Sequence, residues 1–182
     1  MLFFVMIITV SGMAGSGKST TAKLLAKKLG YKHYSAGDMQ REIAEELKIS
    51  IEELGRLEAK DEKYDHMVDN KFRELGRRED NFVADGWLLV HFIPHAIKIF
   101  LTIDVDEAVK RRMKQPRETE KYSGNEEAKA LLMKRQEVNR ERWLRYYGFD
   151  YTDKSNYDLI VDTTNIPPEK VAEKILEFVR SR

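Results

Sequence analysis

The stretch Gly12-Met-Ala-Gly-Ser-Gly-Lys-Ser19 lies between an apolar run and a segment whose apolar residues recur at helical spacing. It matches in full the Gly-x-x-x-x-Gly-Lys-Ser/Thr pattern of a phosphate-binding loop, the P-loop. Glycines let successive backbone N–H groups approach phosphate oxygens, and the helix that begins at Lys18 directs its positive dipole end at the same anion. Lys18 is expected to reach the β- and γ-phosphates, and the Ser19 hydroxyl to ligate Mg²⁺. The stretch therefore predicts a site for Mg²⁺ and a nucleoside triphosphate.

We expect the contacts with ATP to come from Gly12, Gly15, Ser16, Gly17, Lys18, Ser19 and Thr20. The alternative is a glycine-rich turn with a chance lysine, and the flanking strand and helix patterns argue against it. A GTPase would carry an Asn-Lys-x-Asp signature, which residues 70–73 (Asn-Lys-Phe-Arg) do not supply. The pattern thus favours a small-molecule kinase.

The rest of the chain alternates short apolar runs with amphipathic segments. We predict five strands, the apolar run at residues 2–10 and further segments at 31–35, 81–85, 97–105 and 158–162. Helical spacing predicts helices between and after them, at 18–29, 37–48, 61–78, 106–114 and from 167 onward. Two further helices should begin at the capping-box patterns Ser50-Ile-Glu-Glu53 and Ser123-Gly-Asn-Glu126.

This alternation predicts an α/β fold of the P-loop kinase type, a three-layer sandwich in which a five-stranded parallel sheet carries helices on both faces. Ligands of such folds lie at the carboxyl ends of the strands. Gly12–Ser19, Ser35–Asp38 and Asp85–Gly86 should therefore surround one crevice.

Length and composition narrow the class further. The 182 residues suffice for one domain over 1–182, and a formal net charge of +1 gives no overall field that would attract nucleic acid. The chain has no cysteine, which excludes disulfides and zinc–thiolate sites and fits a cytoplasmic location. The apolar start is too short to span a bilayer and runs directly into the glycine-rich loop. We expect small-molecule nucleotide partners, no membrane, no nucleic acid and a monomer.

Ser35-Ala-Gly-Asp38 and Arg41 resemble the Ser/Thr-x-Gly-Asp…Arg element of the nucleoside monophosphate kinases. The resemblance implies that Ser35, Gly37, Asp38 and Arg41 bind the acceptor, with Arg41 on its phosphate. A guanidinium suits this role because its planar fork grips phosphate through two hydrogen bonds. On its own, Arg41 could equally belong to a solvated helix face.

The match extends to the archaeal-type cytidylate kinases through Asp61, Asp65 and Asp69, at intervals of four, and through Tyr147-Gly148 and the segment 157–163. This resemblance implies CMP or dCMP as acceptor and places Asp69 in its site. From spacing alone the three aspartates form one helical stripe, which a solvated face paired with lysines would also show. Asp85 and Gly86 resemble the acidic strand end that holds Mg²⁺ through water, with Asp85 also lining the acceptor site.

A basic stretch over residues 110–145 resembles the family's lid, which we place at about 112–135, after an acceptor-binding segment at about 37–80. By resemblance Arg112 stacks on the adenine, with Arg111 as the competing assignment. Arg117, Arg135 and Arg142 bridge the donor and acceptor phosphates, and they are the predicted catalytic residues together with Lys18. Such guanidiniums offset the charge of the transferred phosphoryl group. A charged helix face or an RNA-binding patch would also be rich in arginine.

The pattern departs from the family after the third strand. Where the family reads Glu-Gly-Arg, this chain reads Asp85-Gly86-Trp87, without the arginine that binds acceptor phosphate. We expect Arg41 and a lid arginine, together with His91, to take over. The departure leaves open a P-loop kinase for AMP, UMP or a small metabolite, or a nucleotide-gated RNA- or protein-binding module with little turnover.

Overall fold

A computed structural model describes residues 6–114 and 122–182 of the chain. Its strands are β1 (Ile7–Gly12), β2 (Lys32–Ser35), β3 (Phe82–Asp85), β4 (Ile97–Thr102) and β5 (Leu159–Asp162). They form one sheet in the order β2-β3-β1-β4-β5, and every neighbouring pair is parallel. The predicted five-stranded parallel sheet is confirmed, with β1 at its centre and buried along its whole length.

The helices are α1 (Lys18–Leu29), α2 (Ala36–Glu46), α3 (Ile51–Lys60), α4 (Glu62–Arg78), α5 (Leu89–Phe92), α6 (Val105–Lys114), α7 (Asn125–Tyr147) and α8 (Pro168–Arg180). A 3₁₀ turn at Lys154–Asn156 precedes β5. The short helix α5, within the apolar segment after Trp87, was not predicted. Among the described helices, none combines the length and the apolar character that a membrane span requires.

The side chains of β1 point alternately to the two faces of the sheet and so contribute to two separate hydrophobic cores. Ile8 and Val10 pack with α1 and α8 on one face of the sheet. Ile7 packs on the other face, in a cluster that includes Ile43 of α2 and Phe72 of α4. Helices therefore cover both faces, as a parallel sheet buried on each side requires.

The two capping-box predictions had different outcomes. Ser50 caps α3 as predicted, because its hydroxyl accepts a hydrogen bond from the Glu53 amide at 3.1 Å. The prediction at Ser123 was wrong by one position, since the cap of α7 is Gly124. The Ser123 amide instead donates to a Glu127 carboxylate oxygen at 2.6 Å. Ser123 therefore contacts the first turn of α7 from the residue before the cap.

Candidate active site

The P-loop connects β1 to α1 in a conformation that only glycine fits. Gly12 has φ +146°, and a Cβ there would lie 2.3 Å from the carbonyl oxygen of Leu101 on β4. Gly15 has φ +80°, and its Cβ would lie 2.8 Å from the Cβ of Ala108 on α6. Both positive φ values fall where L side chains are strained. The two glycines therefore let the loop lie against β4 and α6 while its backbone stays open to phosphate.

Lys18, at the first turn of α1, reaches back across this loop. Its Nζ donates to the carbonyl oxygens of Gly12 at 3.0 Å and Met13 at 2.9 Å. The loop is also held from the segment after β5, where the Thr163 hydroxyl donates to the Ser16 carbonyl oxygen at 3.1 Å. The ammonium group is thus placed at the mouth of the loop, where it can exchange a carbonyl oxygen for a phosphate oxygen.

Asp85, at the end of β3, is the centre of a hydrogen-bonded group beside the P-loop. The Ser19 hydroxyl donates to its Oδ2 at 2.6 Å, and the Ser35 hydroxyl donates to the same oxygen at 3.4 Å. The Nε2 of His33 lies 2.6 Å from its Oδ1. The ends of three segments, β2, β3 and the P-loop, therefore meet at one buried carboxylate, in the crevice that the sequence predicted.

The acceptor element follows β2 directly. Arg41, on α2, is exposed and forms an ion pair with Asp38 one turn before it. A Cβ on Gly37 would lie 3.7 Å from the Arg41 guanidinium. Gly86 lies against the start of the same helix, where a Cβ would be 2.8 Å from the Ala36 methyl carbon. The described geometry thus gathers five of the predicted acceptor residues in the first turns of α2 or next to them: Ser35, Gly37, Asp38, Arg41 and Gly86.

A buried acidic cluster lies behind this element, between α3, α4 and α7. Its carboxylates are Glu58 of α3 and Asp65 and Asp69 of α4, each under a tenth exposed. The Arg142 guanidinium of α7 lies among them, 3.5 Å from Glu58 and 3.4 Å from Asp65. The Tyr147 hydroxyl donates to Asp69. The predicted aspartate stripe therefore divides, because Asp61 is an exposed helix cap paired with Lys63, while its two partners are buried.

Burial sets the protonation of this cluster. Desolvation raises the pKa of Asp69 to about 7, although the Tyr147 hydrogen bond acts in the opposite sense. It also raises the pKa of Glu58 and of Asp65, against the lowering effect of Arg142. The cause is that a low-dielectric environment disfavours a carboxylate unless opposite charge offsets the cost. Burial thus favours the protonated form of these carboxyl groups, and Arg142 offsets only part of the cost of ionising Glu58 and Asp65.

The lid arginines occupy different surroundings. Arg111 is tied to the segment after β5, donating to the carbonyl oxygens of Thr163 at 2.6 Å and Thr164 at 3.1 Å. Arg112 follows it near the end of α6, and Arg117 lies outside the described residues. Arg135 of α7 faces the P-loop side, whereas Arg142 is turned into the acidic cluster. The structure thus separates Arg135 from Arg142, which the sequence had assigned to the same bridging role.

Trp87, the residue in place of the family arginine, packs between these parts. Its ring stacks on Tyr151 at 5.4 Å between centroids and meets Trp143 edge to face at 5.8 Å. The Lys18 Nζ lies 5.4 Å from its ring centroid, and the Arg135 guanidinium carbon lies 5.7 Å away. A large aromatic surface therefore borders the place where the transferred phosphoryl group is expected.

A model of the cytidylate kinase-like family matches residues 7–165, the span that contains all of this geometry. The chain belongs to this family. The predicted family and enzyme class, a nucleoside monophosphate kinase, are thereby confirmed. Over 178 residues the chain is 36% identical to the cytidylate kinase of Sulfolobus acidocaldarius, covering 96% of this chain and 94% of that protein.

Two other matches, one in sequence and one in structure, extend the comparison. A nucleotide dehydratase of Lacinutrix mariniflava that depends on S-adenosylmethionine is 32% identical over 171 residues, which are 93% of this chain but 35% of that protein. The shikimate kinase of Bacteroides thetaiotaomicron superposes with a TM-score of 0.67 at 17% identity, covering 97% of this chain and 99% of that one. The second likeness concerns the fold alone and confirms the predicted P-loop kinase architecture.

Sequence reasoning missed two charged contacts. His33 precedes Ser35 by two residues on β2, and this period-2 spacing is the signal that both face Asp85. Glu58 sits on the buried side of α3 with Leu54, at the i, i+4 spacing of one helix face. Gln40 of α2 donates to Glu58 at 2.9 Å, a contact for which the sequence holds no local signal.

The donor set around the P-loop fits magnesium. Ser19 and Asp85 supply a hydroxyl and a carboxylate oxygen, the hard ligands that Mg²⁺ prefers. Within 6–114 and 122–182, no cluster of three or more His, Cys, Asp or Glu side chains could enclose a metal. Mg²⁺ is compatible with so few protein ligands because it usually keeps water and substrate phosphates in its coordination sphere. His91 packs against Phe92, Tyr147 and Phe149.

Proposed function

We propose that the chain transfers the γ-phosphoryl group of Mg²⁺–ATP to CMP or dCMP. The observation that carries the proposal is the convergence of Lys18, Ser19 and Asp85 at one end of the sheet, next to the acceptor element of α2. The family match over residues 7–165 supports the same acceptor class. A cytoplasmic location and a monomeric state stay predictions.

On the donor side, the backbone N–H groups from Gly15 to Ser19 would bind the ATP phosphates, with Thr20 on the following turn. Lys18 would leave its carbonyl partners in the P-loop and bind the β- and γ-phosphates. Ser19 and Asp85 would hold Mg²⁺, which offsets charge on the phosphate oxygens. Arg112 would pack on the adenine, because Arg111 is already bound to the segment after β5.

On the acceptor side, Arg41 would bind the monophosphate, releasing Asp38. Ser35, Gly37 and Gly86 line the approach to it, and Arg135 and Arg117 would offset charge on the group in transfer. The acceptor phosphate is already an anion, so the transfer needs no general base. A bridging role for Arg142 would require its ion pairs with Glu58 and Asp65 to open when the acceptor binds.

The acidic cluster supports an amino-bearing base. Carboxylates accept hydrogen bonds from the exocyclic amino group of cytosine, whereas uracil presents a carbonyl oxygen there. Glu58, Asp65 and Asp69 lie between the acceptor helices and α7, with Arg142 as a donor for the ring nitrogen and carbonyl oxygen. We therefore assign the discrimination between cytosine and uracil to this cluster.

The test mixes the protein with Mg²⁺–ATP and CMP, dCMP, UMP, AMP or GMP in turn, and follows ADP release. We expect kcat/KM for CMP or dCMP to exceed that for UMP by at least about tenfold, the value of one good polar contact with a base. Faster turnover on another monophosphate would overturn the cytidylate assignment. No stimulation by any of them would overturn the kinase role.

Two variants locate the contacts within the same assay. Arg41→Ala should raise KM for the acceptor about tenfold or more and leave KM for ATP unchanged, because a charge-assisted contact is lost. Glu58→Gln should narrow the preference for CMP over UMP. An unchanged acceptor KM in Arg41→Ala would remove Arg41 from the acceptor site.

A further inference from the structure

We propose that Trp87 is a positioning residue of the phosphoryl-transfer site, whose indole ring holds Arg135 beside Lys18 at the P-loop before ATP binds. The inference rests on the ATP-binding part of the proposed function and does not depend on which acceptor is used. It gives a role to the residue that departs most clearly from the family pattern.

The first argument is the position of the two cations. The Lys18 Nζ and the Arg135 guanidinium lie 5.4 Å and 5.7 Å from the same ring centroid, within the range of a cation–π interaction. They come from different elements, α1 and α7, that are far apart in the chain. Both groups are cations, and the negative face of an aromatic ring attracts each of them and so offsets part of their mutual repulsion.

The second argument is the rigidity of the ring. Tyr151 is fully buried and stacks on Trp87 with an interplanar angle of 22°. Trp143, also buried, packs against it nearly perpendicularly. A ring fixed by two aromatic neighbours can orient a flexible guanidinium, since only the arginine has to adjust.

The third argument is an independent contact between α7 and the P-loop. Gln136, the residue after Arg135, accepts a hydrogen bond from the Ala14 amide at 3.4 Å. The Gln136 carbonyl oxygen in turn accepts from the hydroxyl of Tyr151, the ring under Trp87. Gln136 therefore joins this segment of α7 both to the P-loop, through Ala14, and to the ring stacked on Trp87, through Tyr151.

The consequence is preorganisation. Ordering a long arginine side chain on binding costs free energy, and that cost falls when the side chain already lies near its bound position. Both cations should then bind the γ-phosphate without a large change of side-chain conformation. Tryptophan provides the strongest cation–π surface of the natural side chains, which gives a physical reason for an indole at this position.

The test is a double-mutant cycle with Trp87→Leu, Arg135→Ala and the double variant, measuring the affinity for Mg²⁺ and the non-hydrolysable ATP analogue AMP-PNP by calorimetry. We expect Arg135→Ala to weaken binding about tenfold in the parent and only about threefold in the Trp87→Leu background. Without the indole, Arg135 is no longer positioned and contributes less to the affinity, so its removal has a smaller effect. Equal effects in both backgrounds would overturn the proposal. So would an Arg135→Ala effect below about twofold in the parent, since Arg135 would then not meet the γ-phosphate.

A second measurement keeps the shape of the ring. Replacing tryptophan by fluorinated tryptophans weakens the negative ring face with little change in volume, and Trp87 and Trp143 are the chain's two tryptophans. Affinity for AMP-PNP should fall by about threefold with increasing fluorination in the parent chain and stay constant in Trp87→Phe, where only Trp143 is labelled. A fall of the same size in both chains would contradict the proposal. Neither readout uses an acceptor, so a failed kinase assay and a failed Trp87 proposal are separate results.

Discussion

The donor half and the acceptor half of the site differ in how their buried carboxylates are balanced. Around the P-loop, the anion-binding groups are backbone amides and Lys18, and the one buried carboxylate, Asp85, is contacted by Ser19, Ser35 and His33. Around α3 and α4, three buried carboxylates surround one close guanidinium, and burial raises their pKa values. The buried carboxylate of the donor half thus has its hydrogen-bond partners before any ligand arrives, whereas the acceptor half has buried carboxyl groups whose ionisation a proton or a ligand must offset.

The comparison is tested most strongly by removing the cation of the acceptor half. Arg142→Ala should lower the free energy of unfolding by about 3–5 kcal/mol at pH 7, because Glu58 and Asp65 would be left buried without their partner. Urea denaturation measures the loss. Arg145→Ala, an exposed position on the same helix, is the matched control and should change stability little. A loss in Arg142→Ala as small as in the control would mean that the cluster does not depend on this guanidinium.

A substitution in the donor half should change the activity of the enzyme and not its stability. Lys18→Ala should reduce kcat/KM by about 10³-fold, the effect of removing one preorganised donor from developing charge. Its unfolding free energy should stay close to the parent's, because Lys18 is only half-buried and water can replace its ammonium at the carbonyl oxygens of Gly12 and Met13. Lys28→Ala, in the last turn of the same helix, should keep full activity. Kinase activity within about threefold of the parent in Lys18→Ala would contradict the P-loop mechanism.

The third prediction concerns the pH dependence of the acceptor half. The pKa of Asp69 is raised from 3.8 to about 7, so the unfolded chain loses this proton at lower pH than the folded chain. The carboxyl therefore costs stability increasingly as pH rises from about 4 to 7, and the cost is fully present above pH 7. Asp69→Asn should be more stable than the parent by roughly 2–4 kcal/mol at pH 8 and nearly equal to it at pH 4.

Asp61→Asn is the control for this prediction, since Asp61 belongs to the same stripe but its pKa is lowered, chiefly by the backbone hydrogen bond from Lys63. Its carboxylate favours the folded state above its unfolded pKa, so the substitution should bring no gain in stability at high pH. Chemical denaturation of both variants between pH 4 and pH 8 measures the difference. Parallel pH profiles for Asp69→Asn and the parent would show that Asp69 ionises normally.

The strands and the P-loop were predictable because their signals are local. An apolar run of five to ten residues indicates a buried strand wherever its partners lie, and Gly12 to Ser19 hold the phosphate-binding pattern within eight consecutive positions. Ser50 could be identified as a cap for the same reason, because both partners lie within one turn. The short helix α5 escaped prediction since a stretch of only four residues, three of them apolar, fits a helix, a strand or a loop equally well.

The acceptor half was predictable only in part. The period of four placed Asp65 and Asp69 on one face of α4, but a face can point to solvent or inward, and spacing does not distinguish the two. Glu58, Gln40 and Arg142 come from three other helices, and whether they meet in one cluster with Asp65 depends on how those helices pack. The placement of Arg142 inside the cluster follows from that packing.

By itself, the sequence determined the nucleotide-binding loop, the parallel sheet around it and the family to which the chain belongs. Each of these depends on residues that are contiguous or periodic in the chain. The tertiary structure decided where the unusual tryptophan lies and which carboxylates are buried. Trp87 meets Lys18, Arg135 and Tyr151 across separations of tens of residues. Such contacts depend on the docking of α7 against the P-loop and the acceptor helices, and the free energy of that docking comes from many weak contacts spread over the whole chain.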